Sequence, residues 1–308
     1  MYFVQKYVLA HWTFDPLFVV LTGIPVVLYI IGYIRLERTI ARGSKRPGKV
    51  RKTRAALFAS GILVLLIAVM SPIDYWSGVY LWVHMLQHVL LMIYAPPLIV
   101  ISAPWLVIYR GMPVKWRRSL GRTFLVSEKT SVLRSIGNFF MNPMVGFLLF
   151  NFTMYFWHFP ALLDLSERNQ VVHYFAHFMF VASGMLLWIH LVDSPPIKPR
   201  ITPEIKRIVP IFFTTVASWI LAMILGFASK PFYSVYQYIP GKTLSAMADQ
   251  ELASSILWVL CMEPFTYAAI ANIKKWMTKE DDYDYQLSLL ATDNRLSVKP
   301  KRKIPGIN

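Results

Sequence analysis

The chain of 308 residues is 56% hydrophobic, with a mean hydropathy of +0.46, too apolar for a soluble domain of this length, so it reads first as a membrane protein. Its single cysteine, Cys261, excludes an internal disulfide framework and any CxxC thiolate motif, so a bound metal would be held by nitrogen, oxygen or thioether. The formal charge of +16, from 32 Lys+Arg against 16 Asp+Glu, raises nucleic acid as a partner, a reading that depends on where the cations sit.

Residues 1–16 carry one cation, Lys6, and show no small-residue cleavage site; they read as an extracytoplasmic N-terminus without a signal peptide. Apolar stretches follow at 17–34, 58–70 with its flanks, 79–102, 143–157, 171–192, 208–227 and 252–273, each a candidate membrane span. The second and fourth are short, which leaves six spans as an alternative to seven. The expected fold class is therefore all-α, a polytopic membrane helix bundle over residues 17–273.

The charges test that count independently. Segments 35–54, 110–134, 198–207 and 274–308 hold nine, seven, four and eight Lys/Arg, 28 of the 32, and alternate with segments that hold only Lys6, Arg168, Lys230 and Lys242. Seven spans with the N-terminus outside and the C-terminus inside account for that alternation. Cations divided among separate loops, with little base-stacking aromatic content, disfavour nucleic acid and leave the lipid bilayer as the partner. Residues 104–140 are too long for a tight turn, and Trp105, Trp116, Leu120, Phe124 and Leu125 among the cations predict an amphipathic segment on the cytoplasmic face. Pro96-Pro97 predict a kink in the third span. The cytoplasmic tail 274–308 has few apolar residues from Thr278 onward and reads as disordered.

The third span carries the chemistry. His84-Met85-Leu86-Gln87-His88 places two imidazoles one turn apart on one helical face, with β-carbons about 5–6 Å apart, a spacing that lets them share one ion. His173 and His177 repeat it in the fifth span. At a rise of about 1.5 Å per residue, His84 and His88 lie about 8 and 14 Å below the outer start of their span, and His173 and His177 about 5 and 11 Å below theirs. His158, where the fourth span ends, brings five of the seven histidines to the outer third of three helices. His11 lies in the outer N-terminal segment and His190 at the inner side.

Asp74, Asp249 and Gln250 share that outer layer, as do Met85, Met92, Met179 and Met247. Imidazole with thioether suits copper, above all Cu(I), whereas imidazole with carboxylate suits zinc, iron or Cu(II). The carboxylates could instead hold a histidine's other N–H, or cap helices. Weighed singly, His11, His158 and His190 read as packed interfacial residues and the methionines as core filler; two HxxxH pairs at matching depth are what argue for a metal. Glu263, near the middle of the seventh span beside Cys261 and Pro264, is an intramembrane ionisable group, suited to proton or ion passage or to bonding a carbonyl freed by the proline.

At these residues the sequence resembles the CtaG-type, Bacillus-like polytopic assembly factors of the bacterial caa-type cytochrome c oxidase. The resemblance is carried, in order, by Ser71-Pro72-Ile73-Asp74, His84-Met85-Leu86-Gln87-His88, Pro96-Pro97-Leu98, Trp157-His158-Phe159-Pro160, His173/His177, and Asp249-Gln250-Glu251-Leu252-Ala253 running to Trp258. One departure is Ser254-Ser255, where the family leads one to expect a glycine soon after Asp-Gln. The resemblance implies a multi-pass protein of the bacterial plasma membrane that helps form active oxidase, with copper handled near oxidase subunit I or II. Under that reading His84, His88, His173, His177 and His158 are the metal ligands, supported by Asp74, Asp249 and Gln250. Two alternatives stay open: a membrane-embedded zinc-type hydrolase using the same His/Asp cluster, and a heme or metal transport protein. Neither histidine pair carries the glutamate of HExxH, since Met85 and Tyr174 stand at that position, which disfavours a zincin and favours an assembly factor over an enzyme.

Overall fold

Bilayer-length apolar runs satisfy their backbone polar groups within the segment only as helices, and helices are what the computed structural model holds. It describes residues 11–12, 16–40, 48–123 and 130–292. In chain order the helices are α1 (Pro16–Ile40), α2 (Gly48–Met70), α3 (Pro72–Ser77), α4 (Leu81–Val89), a π-helical turn at Leu90–Tyr94, α5 (Ala95–Ser102), α6 (Trp105–Gly111), α7 (Val114–Gly121), α8 (Ser131–Phe140), α9 (Pro143–His158), α10 (Pro160–Arg168), α11 (Gln170–Leu191), α12 (Ile208–Gly226), α13 (Ala246–Leu260) and α14 (Met262–Thr292). Short 3₁₀ turns occupy Glu204–Arg207 and Ser234–Tyr236.

Six helices are long and apolar enough to cross a membrane, and the pair α8–α9, bent by 65°, makes up to seven. The bend has a local cause: Asn142 accepts a hydrogen bond from the Met144 amide and Pro143 starts α9, so the chain begins a new helix instead of continuing the old one. The second span is longer than its apolar core, because α2 already starts within the basic stretch and Arg51 pairs there with Glu37. The third span is the axis of the bundle: 72% of its most apolar window is buried, against 11% for the first span.

The proline signal in that span resolves into a change of helical register. Pro96 and Pro97 have no N–H to donate, and the turn before them opens so that the Ala95 amide reaches the Leu90 carbonyl five residues back. In the last span the chain breaks at Cys261, between α13 and α14, just before Pro264. The segment 104–140 departs from a single amphipathic stretch. Trp105 packs against the core and donates to Ser194, whereas Trp116 lies exposed on α7; Phe124 and Leu125 fall outside the described residues. The tail also needs correction. Helix α14 continues to Thr292, because Lys275 and Lys279 pair with Asp193 and Glu204 on the neighbouring segment, contacts that no local composition reveals. Residues 293–308 lie outside the described residues.

The basic segments gather at one end of the bundle. Arg35 donates to the carbonyls of Arg110, Gly111 and Met112, Arg200 to Asn138, and Arg207 to Asn272. There α1 crosses α6 at backbone contact: a Cβ on Gly111 would lie 1.9 Å from the Leu28 carbonyl oxygen, and one on Gly32 1.8 Å from that of Val107. Gly111→Ala is therefore expected to destabilise the protein by about 1–3 kcal/mol in detergent unfolding. Gly121→Ala on α7, where nothing lies within 4 Å of the added carbon, should cost nothing measurable.

Candidate metal centre

At the opposite end, three helices bring their histidines together, and each is fixed by a polar anchor. Helix α4 is anchored from a distance: Asp249 of α13 accepts from the amides of Leu81 (2.8 Å) and Trp82 (3.0 Å), and its own charge is met by Lys242 at 2.6 Å. Helix α11 is capped by Asn169, which accepts from Val171 and Val172. Helix α9 ends at His158 because Pro160 starts α10. Between them, α3 is capped by Ser71 and presents Asp74, whose carboxylate accepts from Gln87 of α4 at 2.8 Å.

The five histidines form one contiguous group. Ring centroids are 4.1 Å apart for His84 and His88, 4.2 Å for His173 and His177, 5.4 Å for His88 and His158, 6.1 Å for His84 and His173, and 6.4 Å for His88 and His177. Donor atoms of Asp74, His173 and His177 all lie within 4.8 Å of one another, a set that could hold an ion. His84, His88, His158 and His177 are buried, while His173, Asp74 and Glu167 keep part of their surface.

Hydrogen-bond partners assign the protons. Tyr236 donates its hydroxyl to the Ser77 carbonyl (2.7 Å), so at 3.0 Å from Nδ1 of His84 it can only accept; Glu167 Oε1 lies 3.1 Å from the same nitrogen. The proton therefore sits on Nδ1 of His84 and leaves Nε2 as a buried lone pair with no partner among the described residues. His158 follows the same logic, with Nδ1 against the Met154 carbonyl and an unprotonated Nε2 3.1 Å from the Met85 sulfur. Neither ring nitrogen of His177, nor Nδ1 of His88, finds a partner among the described residues. A buried imidazole nitrogen that neither protein, water nor an ion meets costs about 1–3 kcal/mol.

Two of the residues involved are not evident in the sequence pattern. Glu167 on α10 lies 3.3 Å from His173 as well as against His84, and Tyr236 comes from the loop between α12 and α13. Burial raises the Glu167 carboxyl, but His84 and His173, both at hydrogen-bond distance, outweigh it and hold the group ionised well below the usual carboxylate range. The Tyr236 phenol is pushed well above its ordinary value by burial and then by Glu167 and Asp249, so it stays a neutral hydrogen-bonding group. The donors are graded: carboxylates and His173 at the partly exposed rim, and imidazoles with the Met85 thioether inside.

The remaining candidates lie elsewhere. Asp249 and Gln250 do not bond a histidine; Gln250 joins the Phe232 amide to the Leu225 carbonyl, and both residues act by bracing backbone next to α4 and α13. Met92 is in the core and Met179 packs against it, whereas Met247 is half-buried at the start of α13. Glu263 is exposed at the start of α14, accepting from Tyr94 at 2.8 Å, apart from the cluster. His11 stacks on Tyr75, and His190 is buried beside Gly146, far along α11 from His177. The unexpected Ser254 donates to the Ala222 carbonyl and packs against Gly226, so the glycine of this crossing sits on the facing helix.

Comparison with known proteins follows the same stretch of chain. The family described as cytochrome c oxidase caa3 assembly factor matches residues 27–279. An uncharacterised protein of Mycobacterium bovis is 26% identical over 284 residues, 89% of this chain and 40% of its own length, and one of Mycobacterium tuberculosis matches with the same figures. An uncharacterised protein of Mycobacterium leprae is 23% identical over 283 residues, 87% of this chain and 40% of its own. The chain thus spans less than half the length of these curated relatives. No solved structure matches.

Proposed function

The chain belongs to the cytochrome c oxidase caa3 assembly factor family, and from that premise we propose that it serves oxidase assembly by taking up copper and passing it to oxidase subunit I or II. The metal is cargo, held by His84, His88, His158, His173 and His177 with Met85, and met at the rim by Asp74 and Glu167. The single observation that carries this reading is the contiguous group of five imidazoles from three helices, several of whose buried nitrogens have no partner among the described residues, with His158 set against the Met85 sulfur. Neutral imidazole and thioether are the donors that favour Cu(I) over zinc. The basic segments gather at the other end, and the excess of Lys/Arg on the cytoplasmic side of membrane proteins supports an extracytoplasmic cluster; the mycobacterial relatives support a bacterial plasma membrane. There an assembly factor meets copper before any cytoplasmic partner does.

Asp74 with His173 and His177 favours a second reading, a two-histidine, one-carboxylate zinc site. Purified protein loaded with Cu(I) or Zn(II) and freed of excess ion separates the two. The expected result is retained copper whose X-ray absorption spectrum contains a sulfur scatterer that disappears in Met85→Leu. Retention of zinc but not copper, with loss in Asp74→Asn, would replace the copper reading with the zinc one.

A further inference from the structure

At the basic end, α1, α2 and the turn between α5 and α6 enclose a cavity of about 320 Å³. The turn is sharp, with Ala103 in the left-handed region at φ 51°, and it swings α6 across so that Leu106 and Val107 form the apolar wall of the cavity. Arg51, Arg54 and Arg110 line the polar side. Arg51 is already engaged, its guanidinium donating to both oxygens of Glu37. Among the described residues, Arg54 and Arg110 form no ion pair and no carboxylate lines the cavity. Two uncompensated guanidiniums therefore face a pocket whose other wall is hydrocarbon.

That combination specifies a ligand with an anionic head and an apolar body. A guanidinium fork matches the oxygens of a phosphate, and arginine is the residue that binds such groups in two-point geometry. The volume takes a headgroup but not acyl chains, which can leave along Leu106 and Val50, both about half exposed on the outer side. We propose that this cavity is a binding site for the phosphate of an anionic phospholipid, with Arg54 and Arg110 as its two ligands. A bound headgroup would join α1, whose apolar window is only 11% buried, to α2 and α6. This site is independent of the copper reading, since it lies at the other end of the helices and shares no residue with the cluster.

Native mass spectrometry of full-length protein extracted from vesicles of phosphatidylcholine, alone or mixed with phosphatidylglycerol, tests it. One phosphatidylglycerol should remain bound, and Arg54→Gln and Arg110→Gln should each lower its retention about tenfold, the worth of a charge-assisted hydrogen bond. Arg118→Gln, on α7 and outside the cavity, should leave retention unchanged. An equal loss with Arg118→Gln, or equal retention of phosphatidylcholine, would reduce the effect to diffuse surface attraction and overturn the site. Inorganic phosphate is the second arm. Saturation by phosphate in detergent with no preference for the lipid would show a free-anion site and overturn the lipid assignment.

Discussion

His177→Ala should lose copper affinity by about 100-fold or more, at or beyond the top of the 10–100-fold range typical when a residue that merely orients a metal ligand is removed. His190→Ala should leave copper unchanged. The two residues are a matched pair: both sit on α11, both are buried, and both have ring nitrogens without a partner among the described residues. What separates them is company. His177 lies within ring-to-ring reach of His88 and His173, whereas His190 lies beside Gly146 near the other end of the helix. Removing an unpartnered buried imidazole should cost the metal-free protein little at either position, so thermal unfolding without copper should not distinguish the variants. Copper retention and oxidase formation should distinguish them, with His177→Ala failing to restore oxidase activity in a strain lacking this protein and His190→Ala restoring it. Equal restoration by both, with equal copper content, would remove the cluster from the function.

Much of this was readable before any coordinates, and the reasons are physical. Hydrophobic length and the sorting of Lys/Arg are properties of single segments, so the spans and the basic end could be read directly. The HxxxH spacing fixes which side chains share a helical face, so His84 with His88 and His173 with His177 were legible as pairs. Features that depend on two distant segments were not. Asp249 carries the mark of a cap at a helix start, yet Ser245 caps its own helix and Asp249 reaches across to cap α4. Glu167 on α10 and Tyr236 in the connection between α12 and α13 belong to no motif and to no span, and only the return of the chain, 152 residues on in the case of Tyr236, sets them against His84. The helical continuation to Thr292 likewise depends on Asp193 and Glu204, which the tail's composition does not contain.

The spacing of the histidine-bearing helices rests on two glycines rather than on the ligands, which gives Gly184→Val the largest expected effect among residues outside the cluster. On α11, a Cβ at Gly184 would lie 2.5 Å from the Met92 carbonyl oxygen and 2.8 Å from Pro96, so the backbone of α11 touches the π-helical turn of the third span. On α9, a Cβ at Gly146 would lie 2.9 Å from the Leu186 carbonyl, so α11 is held just as closely on its other side. Small residues at such crossings let helices in a membrane approach to backbone contact. A valine at 184 has backbone in its way, which cannot yield as a flexible side chain would, and α11 must move off the third span. The gap of 6.4 Å between His88 and His177 then widens although every donor remains. Stability in detergent should fall by about 1–3 kcal/mol, the range for overpacking. Copper retention should fall with it, while Gly23→Val on α1, where nothing lies within 4 Å of the added carbon, should alter neither. Full copper retention in a destabilised Gly184→Val protein would mean that the imidazoles do not depend on this crossing for their separation.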